Sequence, residues 1–180
     1  LIPSIELARL PNGLQVGNAC IACGGPAWSV RILSKVPPEK IRRLALDEGS
    51  RTSAALAKIF LAEKYDLRPD SLPLPLELDF HDSEADAVLV IGDRGMASHD
   101  EKTFPFAIDL GEDWSQAMGL PFVFAVWGAR SDLEDRDRVA EQLDAVRDEG
   151  IAAIDAILAD EAVRMGFSIE HCRDYLTSIL

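Results

Sequence analysis

Ala87-Val88-Leu89-Val90-Ile91-Gly92-Asp93 sets an unbroken aliphatic run against a glycine and an acid. Continuous Val, Ile and Leu without alternation is the pattern of a strand buried on both faces of an α/β sheet, and the Gly-Asp step marks a turn at its carboxyl end. Working upstream, residues 43–46 form a compact strand that runs through the polar turn 47–53 into residues 52–65, where Leu56, Ile59, Phe60 and Leu61 keep a helical period. Between this helix and the 87–91 run, residues 67–75 are proline-rich and extended. Downstream, residues 104–110 and 122–127 read as strands flanking a short helical piece around Trp114. Strands that alternate with helices in this way predict an α/β fold, whose ligands sit beyond the carboxyl ends of the strands.

The flanks fit the same reading. Proline in the first turn of residues 3–10 predicts a short helix ended by Pro11-Asn12-Gly13. Residues 15–23 and 29–34 are extended segments parted by Gly24-Gly25-Pro26, and Pro37-Pro38 opens a further short helix. Beyond Asp132 the chain turns helical, over 133–148, 151–165 and 169–180, the last behind Ser168 as N-cap. The acidic run 132–137 reads as a solvated helix start.

Composition narrows the functional classes. The chain has 180 residues, 48% hydrophobic and 27% charged, enough to bury a core. Its longest apolar runs, 87–91 and 121–128, are of strand length, so no membrane association is expected. With 18 Lys and Arg against 31 Asp and Glu, a net charge of −13 leaves no basic stripe for nucleic acid. The same field repels small anions, so an anionic ligand must be gripped by local donors. Cys20, Cys23 and Cys172 are too few for a disulfide framework and fit a reducing cytoplasm. The Cys20/Cys23 pair lacks the second ligand pair of a structural zinc site, and His81, His99 and His171 share no metal spacing, so no metal is expected. Neither a Walker loop nor a Gly-x-Gly-x-x-Gly turn is present, and no cofactor is expected. The first residues carry neither Met nor a charged leader, and the chain is expected to begin mid-protein.

Four turns hold candidate chemistry. In Gly49-Ser50-Arg51-Thr52-Ser53, hydroxyls and a guanidinium meet a helix N-terminus, where backbone N–H groups and the dipole favour a carboxylate; alternatively Ser50 or Thr52 caps the helix and Arg51 is solvated. Gly24 to Ser29 offers a close backbone approach, a wall in Trp28 and a hydroxyl in Ser29, or else a simple tight turn with Trp28 in the core. At Gly92-Asp93-Arg94, Asp93 can orient a hydroxyl, act as base, cap the next helix or pair with Arg94. Ser4, at a strand-to-helix step, can donate to a ligand or cap its helix.

Taken together and in order, Ile2-Pro3-Ser4-Ile5-Glu6, Gly25-Pro26-Ala27-Trp28-Ser29-Val30, Ser34-Lys35-Val36-Pro37, residues 46–53, Ile91-Gly92-Asp93 and residues 119–127 resemble the chorismate dehydratases of menaquinone biosynthesis. The resemblance runs over nearly the whole chain. It implies a two-lobed fold like the type II periplasmic solute-binding proteins, with 31–126 as middle lobe and 1–30 plus 127–180 as an outer lobe, crossing near Ser29 and Trp127. It also implies a lyase, cytoplasmic, that removes water from chorismate to give 3-[(1-carboxyvinyl)oxy]benzoate, the first step of the futalosine route. By that resemblance Ser29 is the catalytic residue facing the cleft, and Ser50, Arg51, Thr52 and Ser53, with Ser4, Gly92 and Asp93, bind the dicarboxylate. The family pattern includes a further β-α segment ahead of the position of Leu1, with a cleft asparagine, and extends past Leu180. The base stays open between Asp93, a residue outside this stretch and a substrate carboxylate. Two other readings suit the same fold: a solute-binding protein for an organic anion, which a secretory signal would favour, and the related dihydroxynaphthoate synthase, which lacks the Gly-Pro-x-x-Ser and Ser-Arg-Thr-Ser combination.

Overall fold

A computed structural model describes residues 1–179. In chain order the elements are β1 (Ile2–Pro3), α1 (Ser4–Arg9), β2 (Gly13–Cys23), β3 (Val30–Ser34), β4 (Arg43–Asp47), α2 (Arg51–Tyr65), β5 (Asp70–Leu74), β6 (Ala87–Ile91), α3 (Gly92–Met96), β7 (Phe106–Asp109), α4 (Leu110–Met118), β8 (Phe122–Arg130), α5 (Arg136–Ala152), α6 (Ile154–Met165) and α7 (Ile169–Asp174). Short 3₁₀ turns cover Pro38–Lys40 and Phe80–Asp82, and a π-type turn, Tyr175–Ile179, follows α7. The protein is thus a mixed α/β structure, and its chain divides into two compact units, Leu1–Cys23 with Val123–Leu180, and Gly24–Phe122.

The unit of residues 24–122 is built on a five-stranded sheet in the order β5-β4-β6-β3-β7. Neighbouring β4 lies parallel to both β5 and β6, while β3 runs antiparallel to β6 and β7. As the aliphatic run predicts, Ala87, Val88, Leu89 and Val90 are all 0% exposed. Alternate residues face opposite ways. Val88 and Val90 join Leu33, Ala45, Leu74, Phe80, Ala85 and Phe104 in one core, and Leu56, Ala57 and Leu61 of α2 are buried elsewhere in the unit. Pro73 is accommodated because β5 is an edge strand.

In the other unit β8 lies between β1 and β2, with Ile2 opposite Val126. Gly17 of β2 adopts φ +71°, and a Cβ there would stand 3.1 Å from the Asp144 carboxylate of α5. That carboxylate accepts the N–H groups of Asn18 and Ala19 at 2.9 and 3.0 Å, fastening α5 to the strand. A small cluster of Leu158, Ala162 and Cys172 links α6 with α7. Helix α5 starts at Arg136 rather than at the expected 133, because Asp135 stands in the left-handed region with φ +55°. The expected last helix gives way to the π-type turn after Asp174, and its final residue lies outside the described ones.

Candidate functional site

The register of the five-stranded sheet brings three of the sequence-predicted turns to one end. Because Val30 pairs with Ile91, Ser29, just before β3, lies across from Gly92, just after β6. Leu46 pairs with Leu89 in parallel, so the turn leaving β4 emerges beside Ile91, and a Cβ on Gly49 would lie 3.2 Å from the Ile91 Cδ1 atom. Two strand spacings, about 10 Å, separate the β3 end from the β4 end. Ser29, Ser50 to Ser53, Gly92 and Asp93 therefore share a neighbourhood. Ser4 belongs to the other unit, where its hydroxyl donates to the Val123 carbonyl at 2.7 Å.

Within the β4-α2 turn, Ser50 is extended and forms the N-cap of α2, its side-chain oxygen accepting the Ser53 N–H at 3.1 Å. The Ser50 hydroxyl also lies 2.9 Å from Ser53 Oγ. Thr52 and Ser53 are 4% and 1% exposed, whereas Arg51 is exposed. Capping and a gathering of donors thus coexist in one turn. A helix of this length adds the positive end of its dipole at the same place.

Beneath the turn sits an ion pair that the local sequence does not announce. The Asp47 side chain, 0% exposed, accepts the Gly49 N–H at 2.8 Å and pairs with Arg94 at 3.2 Å. Arg94 also donates to the carbonyls of Pro75 and Leu78. Its partner is therefore 47 residues away and not the adjacent Asp93. Asp93 is exposed in the first turn of α3, and no side-chain bond caps that helix.

The Gly24 to Ser29 turn is more constrained than a plain β-turn. Trp28 adopts φ +58°, a region uncommon for non-glycine residues and a genuine outlier for bulky ones. Ser29 is 4% exposed and its hydroxyl donates to the Ala27 carbonyl at 3.2 Å. Gly95 of α3 is obligatory here, since a Cβ would fall 2.1 Å from the Ser29 carbonyl oxygen. The Asp109 carboxylate accepts the N–H groups of Ala27 and Trp28 at 2.9 and 2.7 Å. Next to it on β3, Arg31 donates to the Ala97 carbonyl at 2.8 Å while its Nε is buried without a partner. Burial lowers the Arg31 pKa, against the opposing pull of Asp109. Sequence reasoning missed Asp109, Arg31, Asp47 and Gly95. Only Asp109 carried a signal, as an acid opening a helix.

Among the described residues no group of three or more His, Cys, Asp or Glu is placed to hold a metal ion, and no helix is long and apolar enough to cross a membrane.

Comparison with known proteins adds a lineage to this geometry. The family model described as menaquinone biosynthesis matches residues 1–180. The chain is 31% identical over 166 residues to a chorismate dehydratase of Thermus thermophilus, covering 81% of this chain and 59% of that protein. It therefore spans about three-fifths of the curated relative's length. Among solved structures, protein AF1704 of Archaeoglobus fulgidus matches with a TM-score of 0.55 at 22% identity, covering 93% of this chain and 58% of that one; this likeness speaks to the fold alone.

Proposed function

Since the chain belongs to the menaquinone biosynthesis family, we propose that it is the larger part of a chorismate dehydratase, a hydro-lyase without a cofactor that acts in the cytoplasm. The reaction is a 1,2-elimination. A base removes the proton from the ring carbon bearing the enolpyruvyl ether, the C–H electron pair forms the new ring double bond, and the neighbouring hydroxyl leaves with the C–O electron pair and takes up one proton, equivalent to the one removed, to give water and 3-[(1-carboxyvinyl)oxy]benzoate. Aromatisation drives the step, so the protein has chiefly to fix one pose of a dianion that can also rearrange.

In this reading Arg51, with the hydroxyls of Ser50, Thr52 and Ser53, binds a substrate carboxylate, and Ser29 contacts the reacting edge or the departing hydroxyl. Gly92 and Asp93 belong to the same group of turns, Asp93 being one candidate for the base; Ser4 is a further proposed substrate-binding residue. The type II periplasmic-binding-protein arrangement, with 31–126 as middle lobe and the two ends as outer lobe, is part of the same proposal. One observation carries the reading: in an acidic protein, the Ser29 turn, the Ser-Arg-Thr-Ser turn and Gly92-Asp93 open at one end of three adjacent strands. The 31% identity to a chorismate dehydratase supports it independently.

The test is to incubate the full-length protein with chorismate and follow formation of the aromatic product. Turnover is expected, with Ser29→Ala cutting it sharply in a folded protein and Arg51→Leu chiefly raising KM. Chorismate left unchanged while an organic anion binds would assign a solute-binding role instead.

A further inference from the structure

We propose that Asp109 is a positioning residue for Ser29, acting through the peptide group between them; the proposal rests on the reading in which Ser29 serves chorismate dehydration. The Ala27–Trp28 peptide carries both halves of the link. Its N–H donates to Asp109 Oδ2 at 2.7 Å, and its carbonyl, that of Ala27, accepts both the Ser29 hydroxyl at 3.2 Å and the Ser29 N–H at 2.6 Å. Carboxylate, peptide and hydroxyl thus form one chain. A bond to an anion at the N–H end strengthens the carbonyl as an acceptor at the other.

Three further observations make the link specific. Trp28 has φ +58°, a conformation that persists only where the surroundings over-determine it, and the two bonds from Ala27 and Trp28 to Asp109 supply that determination. The same carboxylate accepts the N–H groups of Gly111 and Glu112 at 2.9 and 3.0 Å, so α4 fixes the clamp while capping itself. Asp109 also pairs in register with Arg31 of β3, two positions beyond Ser29, which anchors the clamp to the strand that carries the serine.

Oδ1 accepts the Ala27, Gly111 and Glu112 N–H groups and Oδ2 that of Trp28, so a carboxamide with its oxygen in the Oδ1 place keeps the helix cap but sets an NH₂ donor against the Trp28 N–H, breaking the link to Ser29. Asp109→Ser keeps a cap for α4 and does not reach the turn. Either variant is expected to lower kcat for chorismate by about 10-fold to 100-fold, the scale on which small misplacements act, with KM little changed. Measured on the residual turnover of Ser29→Ala, the same substitutions are expected to cost almost nothing more. Wild-type kcat in both variants, or equal losses in the wild-type and Ser29→Ala backgrounds, would overturn the role of Asp109 while leaving the enzyme reading standing. A wild-type protein inert toward chorismate would overturn both. Should Asp109→Asn not fold, Asp109→Ser carries the same expectations, and a collapse of both would make Asp109 a residue of the fold and overturn the proposal.

Discussion

Residues 24–122 bury the central strand β6 of their sheet on both faces, and Leu33, Leu44, Leu74, Leu89 and Phe104 are all 0% exposed. In the other unit the longest helix, α5, has no buried residue, and Val163, Val146 and Ile151 stand 83%, 66% and 64% exposed. The difference lies in how much each unit determines. The first holds its sheet in a closed core, so the turns leaving that sheet inherit fixed positions; those turns carry Ser29, Ser50 to Ser53 and Gly92-Asp93. The second is held by a few specific fastenings, such as the Asp144 carboxylate on the Asn18 and Ala19 amides.

Five substitutions probe this contrast. Leu89→Ala, in the central strand β6, is expected to cost about 3 kcal/mol through lost transfer and a cavity, whereas Val163→Ala on α6 is expected to cost less than about 0.5 kcal/mol. Denaturant unfolding measures both, and equal costs would erase the distinction. Arg94→Leu strips the buried Asp47 carboxylate of its cation while leaving the Gly49 N–H. A loss of about 2 kcal/mol is expected for a charge left partly satisfied, together with weaker chorismate binding as the Gly49 to Ser53 turn loosens. Unchanged affinity would separate that turn from its support.

In the other unit, Ser168 caps α7 by accepting the His171 N–H at 3.1 Å, and Ser168→Ala is expected to cost about 1 kcal/mol. The smallest effect concerns pH. Burial, then the positive Arg31, holds the His99 imidazole below its ordinary 6.5. A histidine so depressed binds its proton less readily folded than unfolded, so its contribution is full above pH 6.5 and is lost as the pH falls through the lowered folded value. His99→Asn should therefore flatten the acid side of the stability profile, and an unaltered slope would show that other groups set it.

Much of the sheet was legible because aliphatic runs and a helical period are local signals. The 87–91 strand, the strand read over 43–46 and found over Arg43–Asp47, and the helix after Ser50 all follow from residues adjacent in sequence. What escaped is long-range. Asp109 reaches Ala27 across 82 residues and Arg94 reaches Asp47 across 47, and nothing near either residue encodes its partner. The left-handed Trp28 was equally hidden, since glycine or asparagine normally marks such a position. At the candidate site the residue types were readable, while the supports that orient them were not.

The most direct measurement is a crystal structure of the full-length protein with 3-[(1-carboxyvinyl)oxy]benzoate bound. One carboxylate should lie within hydrogen-bond reach of the Ser50 to Ser53 donors, with the ring edge against Ser29. A product seated away from both turns would contradict a shared anion site at this end of the sheet.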